Sequence, residues 1–296
     1  PNGDFDPHQF LTFVNRYKVS ATIMVPLIMR RLIEIIEDEG ITLPSLRLIT
    51  YGSSPATPQL IRKADEVFKC DLAQLYGATE ATGGWISIMQ PEDTRRGLAD
   101  EPHLLKSCGR AFLHFDIEIR EEKGSLCPVD TVGEVWLKSD ALMLGYLGLK
   151  EQTAEALQNG WLQTNDMGYL DEEGFLYLTD RKNNLIITGS ANVFPSMVEN
   201  VLDEHPQIKE VAVVGVPHPE WDEAVVAVII PTKKDEFNAE EVIAFSKSKM
   251  AKFEVPKAFV LIDDLPKGLT GKVLKKEIQA MFKDGRLTVP WNMTVE

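Results

Sequence analysis

Residues 1–107 show a hydrophobic pattern that alternates between the spacing of helices and that of short buried strands. Apolar residues of 30–36 recur at helical intervals, whereas 46–51 and 72–76 are apolar runs followed by glycine. The predicted elements are a strand at 21–25 between helices within 7–40, a strand at 46–51, a helix at Pro58–Phe68 and a strand at 72–76. Strands and helices in this order predict the parallel sheet of an α/β domain.

From residue 108 the pattern changes to shorter strands, separated by turn residues, and this predicts a β-rich subdomain that extends to residue 183. After residue 183 the pattern changes again, and we predict a small α+β domain at 184–296 with helices on the face of a three-stranded sheet. The predicted elements are strands at 115–119 and Gly133–Lys138, a helix near Pro195, strands at 210–216 and 223–230, a helix at 239–250, a strand at 258–262 and a last helix from Lys272.

Composition limits the classes of function. The 296 residues are 44% hydrophobic, which is enough for two cores of ordinary size. A net charge of −14 argues against a nucleic-acid partner, because phosphate binding requires a basic face. Three widely spaced cysteines, at positions 70, 108 and 127, argue against disulfides and zinc and favour the cytoplasm. We leave peripheral membrane association open, and no apolar run approaches the roughly 18 residues of a membrane span.

Polar residues follow two of the predicted strands, where ligands collect in open α/β sheets. Tyr76, Gly77, Ala78, Thr79 and Glu80 follow one strand. A threonine hydroxyl can bond a phosphate oxygen, and a carboxylate can hold Mg²⁺, which prefers oxygen ligands. When this pentapeptide is taken alone, an ordinary strand-to-loop turn is the better explanation.

The preceding strand ends in a second polar turn, Gly52-Ser53-Ser54-Pro55. Its backbone groups could contact a flat base, with Gly52 permitting the close approach. The alternative is a strand-to-helix turn in which a serine caps the helix.

Two further segments carry charged candidates. Asp166 precedes a predicted hairpin at 168–179 that turns at 171–174, and Arg181 lies at its far end. A carboxylate and an arginine can bind ribose hydroxyls together, although a lone loop carboxylate is usually solvated. Lys272 follows a glycine-containing loop that lacks the spacing of a Walker motif, so it is either a solvated lysine or a cation delivered to a developing phosphate charge. The five histidines show no metal spacing.

In this order, the segments resemble the adenylate-forming superfamily of acyl-CoA synthetases, luciferases and peptide-synthetase adenylation domains. YGATE is similar to the family's YGxTE motif, and LPKGLTGK is similar to LPKTxxGK. The segment QTNDMGYLDEEGFLYLTDRKNNLIITGSANVFP is similar to the region TGD…(G/D)R…GGENVYP. The resemblance covers essentially the whole chain and places 1–183 in the C-terminal part of a large AMP-binding domain and 184–296 in a small mobile domain.

The resemblance implies a reaction and a set of residue roles. The family activates a carboxylate with Mg-ATP to an acyl-adenylate, and a thiol, usually that of coenzyme A, then displaces AMP. For the nucleotide, the resemblance implies that Thr79 contacts phosphate, that Glu80 binds Mg²⁺ and that Asp166 and Arg181 bind the ribose. It also implies nucleotide binding by Tyr76, Gly77 and the Ser53-Ser54-Pro55 backbone, and bridging of the carboxylate and α-phosphate by Lys272. For the conformational change and the second step, it implies a hinge at Asn183 and a pantetheine tunnel beside Gly189 and Ser190.

The chain departs from the family pattern at several positions. Asn183 replaces an Asp or Lys at the hinge, and Asn165 replaces the glycine of TGD. Ser190 replaces the second glycine of GG, which would narrow the tunnel wall, and Ala191 replaces an acidic residue. Nothing before Tyr76 matches the family's phosphate loop. We therefore expect the chain, which opens on Pro1, to be a piece of a longer protein and to be inactive alone.

For the parent protein, we expect a medium- or long-chain fatty acid as the substrate and coenzyme A as the acceptor. Residues 83–86 are candidates for lining an acyl pocket, although apolar residues there also suit a core. An aryl-acid ligase, an adenylation enzyme with a carrier-protein acceptor, and a non-catalytic homologue remain as alternatives. A homodimer is also left open.

Overall fold

The computed structural model describes residues 5–189, 191–268 and 272–291. It divides into two compact units, the first formed by Pro1–Thr164 with Gly168–Leu178 and the second by Asn165–Met167 with Thr179–Glu296. The predicted mixture of α/β and α+β architecture is confirmed. The domain boundary that we place between 183 and 184 stays a prediction.

Within its described residues, the first unit contains five helices and most of ten strands. The helices are α1 (Pro7–Tyr17), α2 (Pro26–Glu39), α3 (Pro58–Phe68), α4 (Pro91–Ala99) and α5 (Lys150–Ala156). The strands are β1 (Ala21–Met24), β2 (Leu48–Gly52), β3 (Asp71–Gly77), β4 (Trp85–Met89), β5 (Arg110–Ala111), β6 (Asp116–Arg120), β7 (Gly133–Lys138), β8 (Leu157–Gln158), β9 (Trp161–Leu170) and β10 (Leu176–Arg181). Short 3-10 helices lie at Thr79–Ala81 and Pro102–Lys106.

One sheet of the first unit has the order β1-β2-β3-β4-β5. Strands β1, β2 and β3 are parallel, as predicted, whereas β4 and β5 are antiparallel additions. The helices α1, α2 and α3 bury their apolar faces in one cluster with the fully buried side chains of Ile49 and Tyr51. Because β2 and β3 run parallel, their carboxyl ends lie at the same edge of the sheet.

The other sheet has the order β10-β9-β7-β6, with β8 paired to β9. The hairpin of β9 and β10 turns where it was predicted, because the Asp171 carboxylate accepts hydrogen bonds from the backbone N–H groups of Glu173 and Phe175. The prediction that Asp166 lies in a loop is wrong, since this residue is inside β9.

The second unit is built on a sheet with the order β12-β11-β14-β13, with β15 parallel to β14. Its elements are β11 (Ile186–Thr188), β12 (Ala191–Val193), α6 (Pro195–Leu202), β13 (Ile208–His218), β14 (Asp222–Pro231), α7 (Ala239–Lys249), β15 (Ala258–Leu261) and α8 (Lys275–Lys283), with 3-10 helices at Lys182–Asn184 and Lys234–Glu236. The expected three-stranded sheet is wrong, because the three-residue strands β11 and β12 extend it to five. The last helix begins at Lys275, so Lys272 precedes it.

Strand β14 is buried on both faces. Val225 and Ala227 belong to one apolar cluster, and Val226 and Val228 belong to another on the opposite side of the sheet. Both clusters include helix residues, which explains why this strand is an unbroken apolar run. None of the described helices combines the length and the apolar character needed to cross a bilayer.

Gly109 provides a test of the first unit's packing. Its backbone has φ +83°, and a Cβ added there would lie 1.9 Å from the carbonyl of Ile88. Gly124 has a similar φ of +86°, but an added Cβ would meet nothing within 4 Å. We expect Gly109→Ala to reduce the free energy of unfolding by about 4 kcal/mol and Gly124→Ala to reduce it by about 1 kcal/mol. Urea unfolding of both variants measures the difference, and equal losses would contradict the close approach.

Candidate active site

The first group of candidate residues lies at the carboxyl ends of β2 and β3. Gly52 is paired with Leu75, and a Cβ added to Gly52 would lie 2.5 Å from the Leu75 carbonyl oxygen. The small size of Gly52 therefore serves the approach of the two strands, and its predicted role in admitting a flat base stays a prediction.

The turn after β2 holds a non-glycine residue in the left-handed region. Ser53 has φ +68°, a conformation that costs about 1 kcal/mol or more and often accompanies functional turns. The alternative of a serine cap is wrong, because the Oγ1 atom of Thr57 caps α3 by accepting a hydrogen bond from Leu60 N at 3.3 Å. Ser53, Ser54 and Pro55 thus form a separate loop at the sheet edge, and Ser53 and Pro55 are exposed.

The YGATE segment ends β3 and enters a 3-10 helix. Tyr76 is only 9% exposed and packs in an apolar cluster with Ala81, so its ring is part of the core. Thr79 is exposed and Glu80 is partly buried. The buried Ala81 anchors the 3-10 turn and leaves the two candidate ligands at its surface.

Sequence reasoning did not identify Tyr146, which contacts Glu80. Its hydroxyl donates a hydrogen bond to Glu80 Oε1 at 2.8 Å, and Met143 N donates to the Glu80 carbonyl at 2.7 Å. A tyrosine after a glycine was the only local signal, and glycine-tyrosine pairs are too common to indicate a site.

Magnesium requires oxygen ligands, and Glu80 is the carboxylate offered by this group. Among the described residues there is no cluster of three or more Asp, Glu, His or Cys side chains that would hold a metal alone. Mg²⁺ commonly binds to one or two carboxylates together with substrate phosphates and water. The donor set therefore fits a magnesium ion that is shared with ATP.

The second group, Asp166, Arg181 and Lys272, lies within the second unit. Arg181 Nε is 3.2 Å from Asp166 Oδ1, with the arginine side chain 59% exposed and the carboxylate side chain 13% exposed. Burial of the ammonium group and the positive charge of Arg181 lower the pKa of Lys272, while Asp166 opposes the shift. The structure thus brings these three predicted residues into one charged cluster.

Asn165 explains one departure from the family motif. It has φ +60°, in the left-handed region that glycine adopts without cost and that asparagine tolerates better than most residues. The backbone conformation next to Asp166 is therefore compatible with asparagine in place of the motif's glycine.

Asp180 is a hydrogen-bonding centre that the sequence indicated only as half of an Asp-Arg pair. Its Oδ1 accepts hydrogen bonds from Arg181 N at 2.6 Å and Asn184 Nδ2 at 2.8 Å. Its Oδ2 accepts from Ser196 N at 2.9 Å and Ser196 Oγ at 3.0 Å, and Lys275 Nζ lies 3.5 Å away. Asp180, which lies in β10 directly before Arg181, thus contacts both the start of α6 and α8.

Lys275 is shared between two carboxylates. Its Nζ lies 2.8 Å from Glu199 Oε1, which also accepts a hydrogen bond from Val213 N at 2.6 Å. Burial would raise the pKa of Asp180, but Lys275 and the hydrogen bonds hold it below its ordinary value. Burial raises the pKa of Glu199, and Lys275 only partly offsets this effect. Of the two carboxylates, Asp180 is the one stabilised in its charged form.

The hinge and tunnel candidates flank this network in sequence. Asn183 is exposed in the 3-10 helix Lys182–Asn184. Gly189 has φ +58° and donates a backbone hydrogen bond to Trp221 O at 2.8 Å. Ser190 lies outside the described residues, so its predicted place in a tunnel stays a prediction.

The chain matches two family models that together cover most of its length. The family model described as AMP-binding enzyme matches residues 1–147, and the model described as AMP-binding enzyme C-terminal domain matches residues 197–272. The medium/long-chain-fatty-acid–CoA ligase FadD8 of Mycobacterium tuberculosis is 34% identical over 288 residues, which are 95% of this chain and 49% of the relative.

Two solved structures share the fold. The amide bond synthetase McbA of Marinactinospora thermotolerans has a TM-score of 0.86 and 34% identity, covering 94% of this chain and 56% of that chain. The O-succinylbenzoate coenzyme A synthetase of Bacillus subtilis, in complex with ATP and a magnesium ion, has a TM-score of 0.80 and 30% identity, covering 92% of this chain and 54% of its own. This chain spans about half the length of the relatives that it matches.

The motifs, the fold and the relatives all indicate the same family, from the first strand to the lysine before the last helix. With this agreement, the chain belongs to the adenylate-forming superfamily of AMP-binding enzymes.

Proposed function

We propose that the protein containing this chain is an acid–thiol ligase, which activates a carboxylic acid with ATP and transfers the acyl group to coenzyme A. The observation that carries the proposal is the clustering of Asp166, Arg181 and Lys272, three residues drawn from two separate motifs. A cluster with one carboxylate and two cations suits a nucleotide, because the carboxylate binds ribose hydroxyls and the cations oppose phosphate charge.

In the first half-reaction, a carboxylate oxygen of the substrate attacks the α-phosphorus of ATP. A bond forms between them, the bond from the α-phosphorus to the bridging oxygen breaks, and pyrophosphate leaves with the electron pair. Asp166 and Arg181 hold the ribose hydroxyls, and the Lys272 ammonium balances negative charge on the carboxylate and the α-phosphate. Glu80 would hold a magnesium ion together with the ATP phosphates, and the metal would neutralise phosphate charge. Thr79 contributes a hydroxyl to a phosphate oxygen.

In the second half-reaction, the thiol sulfur of coenzyme A attacks the acyl carbon of the acyl-adenylate. The sulfur loses its proton, a carbon–sulfur bond forms, and AMP leaves as the carbon–oxygen bond breaks. In this proposal Asn183 is the hinge that withdraws Lys272 between the two steps, and Gly189 and Ser190 line the pantetheine path.

For the substrate, we propose a fatty acid of medium or long chain, supported by the relative FadD8. An aryl acid is the second candidate, supported by the similarity to O-succinylbenzoate coenzyme A synthetase. Of the residues proposed to line an acyl pocket, Ile86 is fully buried in the core, while Trp85 is 46% exposed and its ring lies 5.7 Å from that of Phe112. A cytoplasmic location and a homodimer stay predictions, and magnesium use is part of this proposal.

The test is acid-dependent exchange of pyrophosphate into ATP by the full-length protein, over a panel of fatty and aryl acids. We expect exchange with at least one acid and, on addition of coenzyme A, release of AMP with formation of the thioester. We expect no exchange by the 296-residue chain alone, since it lacks a phosphate loop matching the family. Absence of exchange with every acid would reject the ligase, whereas exchange without thioester formation would point to another acceptor.

A further inference from the structure

Tyr146 follows Leu142 and Met143, which pack against an apolar cluster of the first unit, but the side chains nearest to it in sequence are exposed. Its neighbours Leu144 and Leu147 are each fully exposed, at 102% of the reference area, and Tyr146 itself is 36% exposed. Apolar packing therefore holds the start of this segment more firmly than it holds the exposed part around the tyrosine. Hydrogen bonds hold that part.

The backbone of Tyr146 is fixed from helix α5. Tyr146 N donates a hydrogen bond to Thr153 Oγ1 at 2.9 Å, and Thr153 Oγ1 donates to the Leu149 carbonyl at 2.7 Å. On the other side, Met143 N donates to the Glu80 carbonyl at 2.7 Å. One short segment thus contacts both the backbone and the side chain of Glu80, across 66 positions of sequence.

The hydroxyl of Tyr146 is well suited to hold a carboxylate. The phenol O–H is a hydrogen-bond donor, and in the structure it donates to the Glu80 carboxylate. A free glutamate side chain samples many rotamers, and ordering it costs roughly 1–2 kcal/mol. A donor at 2.8 Å on Oε1 selects one carboxylate orientation and leaves Oε2 for another ligand.

We propose that Tyr146 is a positioning residue, whose hydroxyl holds the Glu80 carboxylate in the orientation that receives a magnesium ion carried by the ATP phosphates. This inference rests on the proposed function and adds a residue that lies outside the three segments on which the resemblance to the family was based. Groups that orient a metal ligand contribute to metal affinity without touching the metal. Removal of the hydroxyl should therefore weaken metal binding more than it weakens the fold.

The test is Tyr146→Phe in the full-length protein, with Mn²⁺ as the metal probe and a non-hydrolysable ATP analogue present. Titration followed by electron paramagnetic resonance should show an apparent Kd for Mn²⁺ that is about 10-fold higher than in the wild type. In the exchange assay, the Mg²⁺ concentration for half-maximal rate should rise while the rate at saturating Mg²⁺ stays near that of the wild type. Unchanged affinity for Mn²⁺ would overturn the role.

Two further variants separate positioning from a general loss of structure. Tyr17→Phe removes the same atom from a ring that is 65% exposed on α1, and it should leave the Mn²⁺ affinity unchanged. Thr153→Val removes the acceptor of Tyr146 N, and it should weaken Mn²⁺ binding in the same direction. An equal effect of Tyr17→Phe would overturn the proposal.

The outcomes also distinguish this inference from the proposed function. If the wild type shows acid-dependent exchange but Tyr146→Phe binds Mn²⁺ normally, positioning by Tyr146 is wrong and the ligase stands. If the wild type shows neither exchange nor nucleotide-dependent Mn²⁺ binding, both proposals are wrong.

Discussion

Replacement of Lys272 by alanine in the full-length protein is expected to slow acyl-adenylate formation by about 100-fold or more. Lys272 interacts electrostatically with Arg181 and Asp166, and the proposed function assigns it to the carboxylate and α-phosphate. Loss of a preorganised charge that opposes developing negative charge in the transition state has an effect of this size. Thioester formation from preformed acyl-adenylate should be spared, because in the proposed function Lys272 is withdrawn from the site before that step.

The two half-reactions are measured separately, by pyrophosphate exchange and by conversion of synthetic acyl-adenylate with coenzyme A. Lys276→Ala is the matched control, because Lys276 is an exposed lysine four positions away, on α8. It should leave both rates close to those of the wild type. Equal loss of both half-reactions in Lys272→Ala would reject the role proposed for this residue.

Replacement of Asp180 by asparagine is expected to lower the free energy of unfolding of the second unit by about 3 kcal/mol. Asp180 is 5% exposed and accepts hydrogen bonds from Arg181 N, Asn184 Nδ2 and both the N–H and hydroxyl of Ser196. Both oxygens of Asp180 accept hydrogen bonds, but an asparagine side chain has only one oxygen. Its NH₂ group would therefore face the hydrogen-bond donors on one side and lose those bonds. The neighbouring Lys275 would also lose one of its two carboxylate partners.

The loss should depend on pH. Because the pKa of Asp180 is lowered on folding, its charged form stabilises the fold above the unfolded pKa, near 4, and this contribution is lost as the pH falls through the folded value. The difference in free energy of unfolding between the wild type and Asp180→Asn should therefore be largest at pH 7 and should disappear in acid. Urea unfolding at a series of pH values measures it.

Glu199→Gln is the matched control for this experiment, since Glu199 contacts the same lysine. Its pKa is raised on folding, so its charged form is disfavoured in the fold and its stability contribution falls as the pH rises through the folded value. The glutamine oxygen can still accept from Val213 N. We expect a change below about 1 kcal/mol at pH 7, and a loss as large as that of Asp180→Asn would contradict the assignment of Asp180 as the stabilising carboxylate.

Elements with strong local signals were predicted closely. Helix Pro58–Phe68 was predicted with its observed bounds, because it combines a threonine cap, proline at its first position and periodic apolar residues. Strand Gly133–Lys138 was also predicted as observed. Strands β11 and β12 were missed, because each has three residues and too short a pattern to stand out from the polar stretch around it.

Candidate residues, like the elements, were predicted well where the local sequence carried a strong signal and poorly where it did not. Asp166, Arg181 and Lys272 were identified by residue type and order, although Asp166 was placed in a loop and lies in a strand. Asn165, next to Asp166, has φ +60° inside β9, a backbone conformation that is typical of turns rather than of strands.

The sequence by itself determined the two patterns of elements, the charged residues offered to a nucleotide and the resemblance to adenylate-forming enzymes. These depend on local spacing and residue type, which the chain carries directly. Only the tertiary structure showed that Tyr146 contacts Glu80 and that Asp180 is shared by Ser196, Asn184 and Lys275. These contacts join residues up to 95 positions apart (180 to 275). Partners at such separations are selected by the packing of whole elements, and no local pattern specifies that packing.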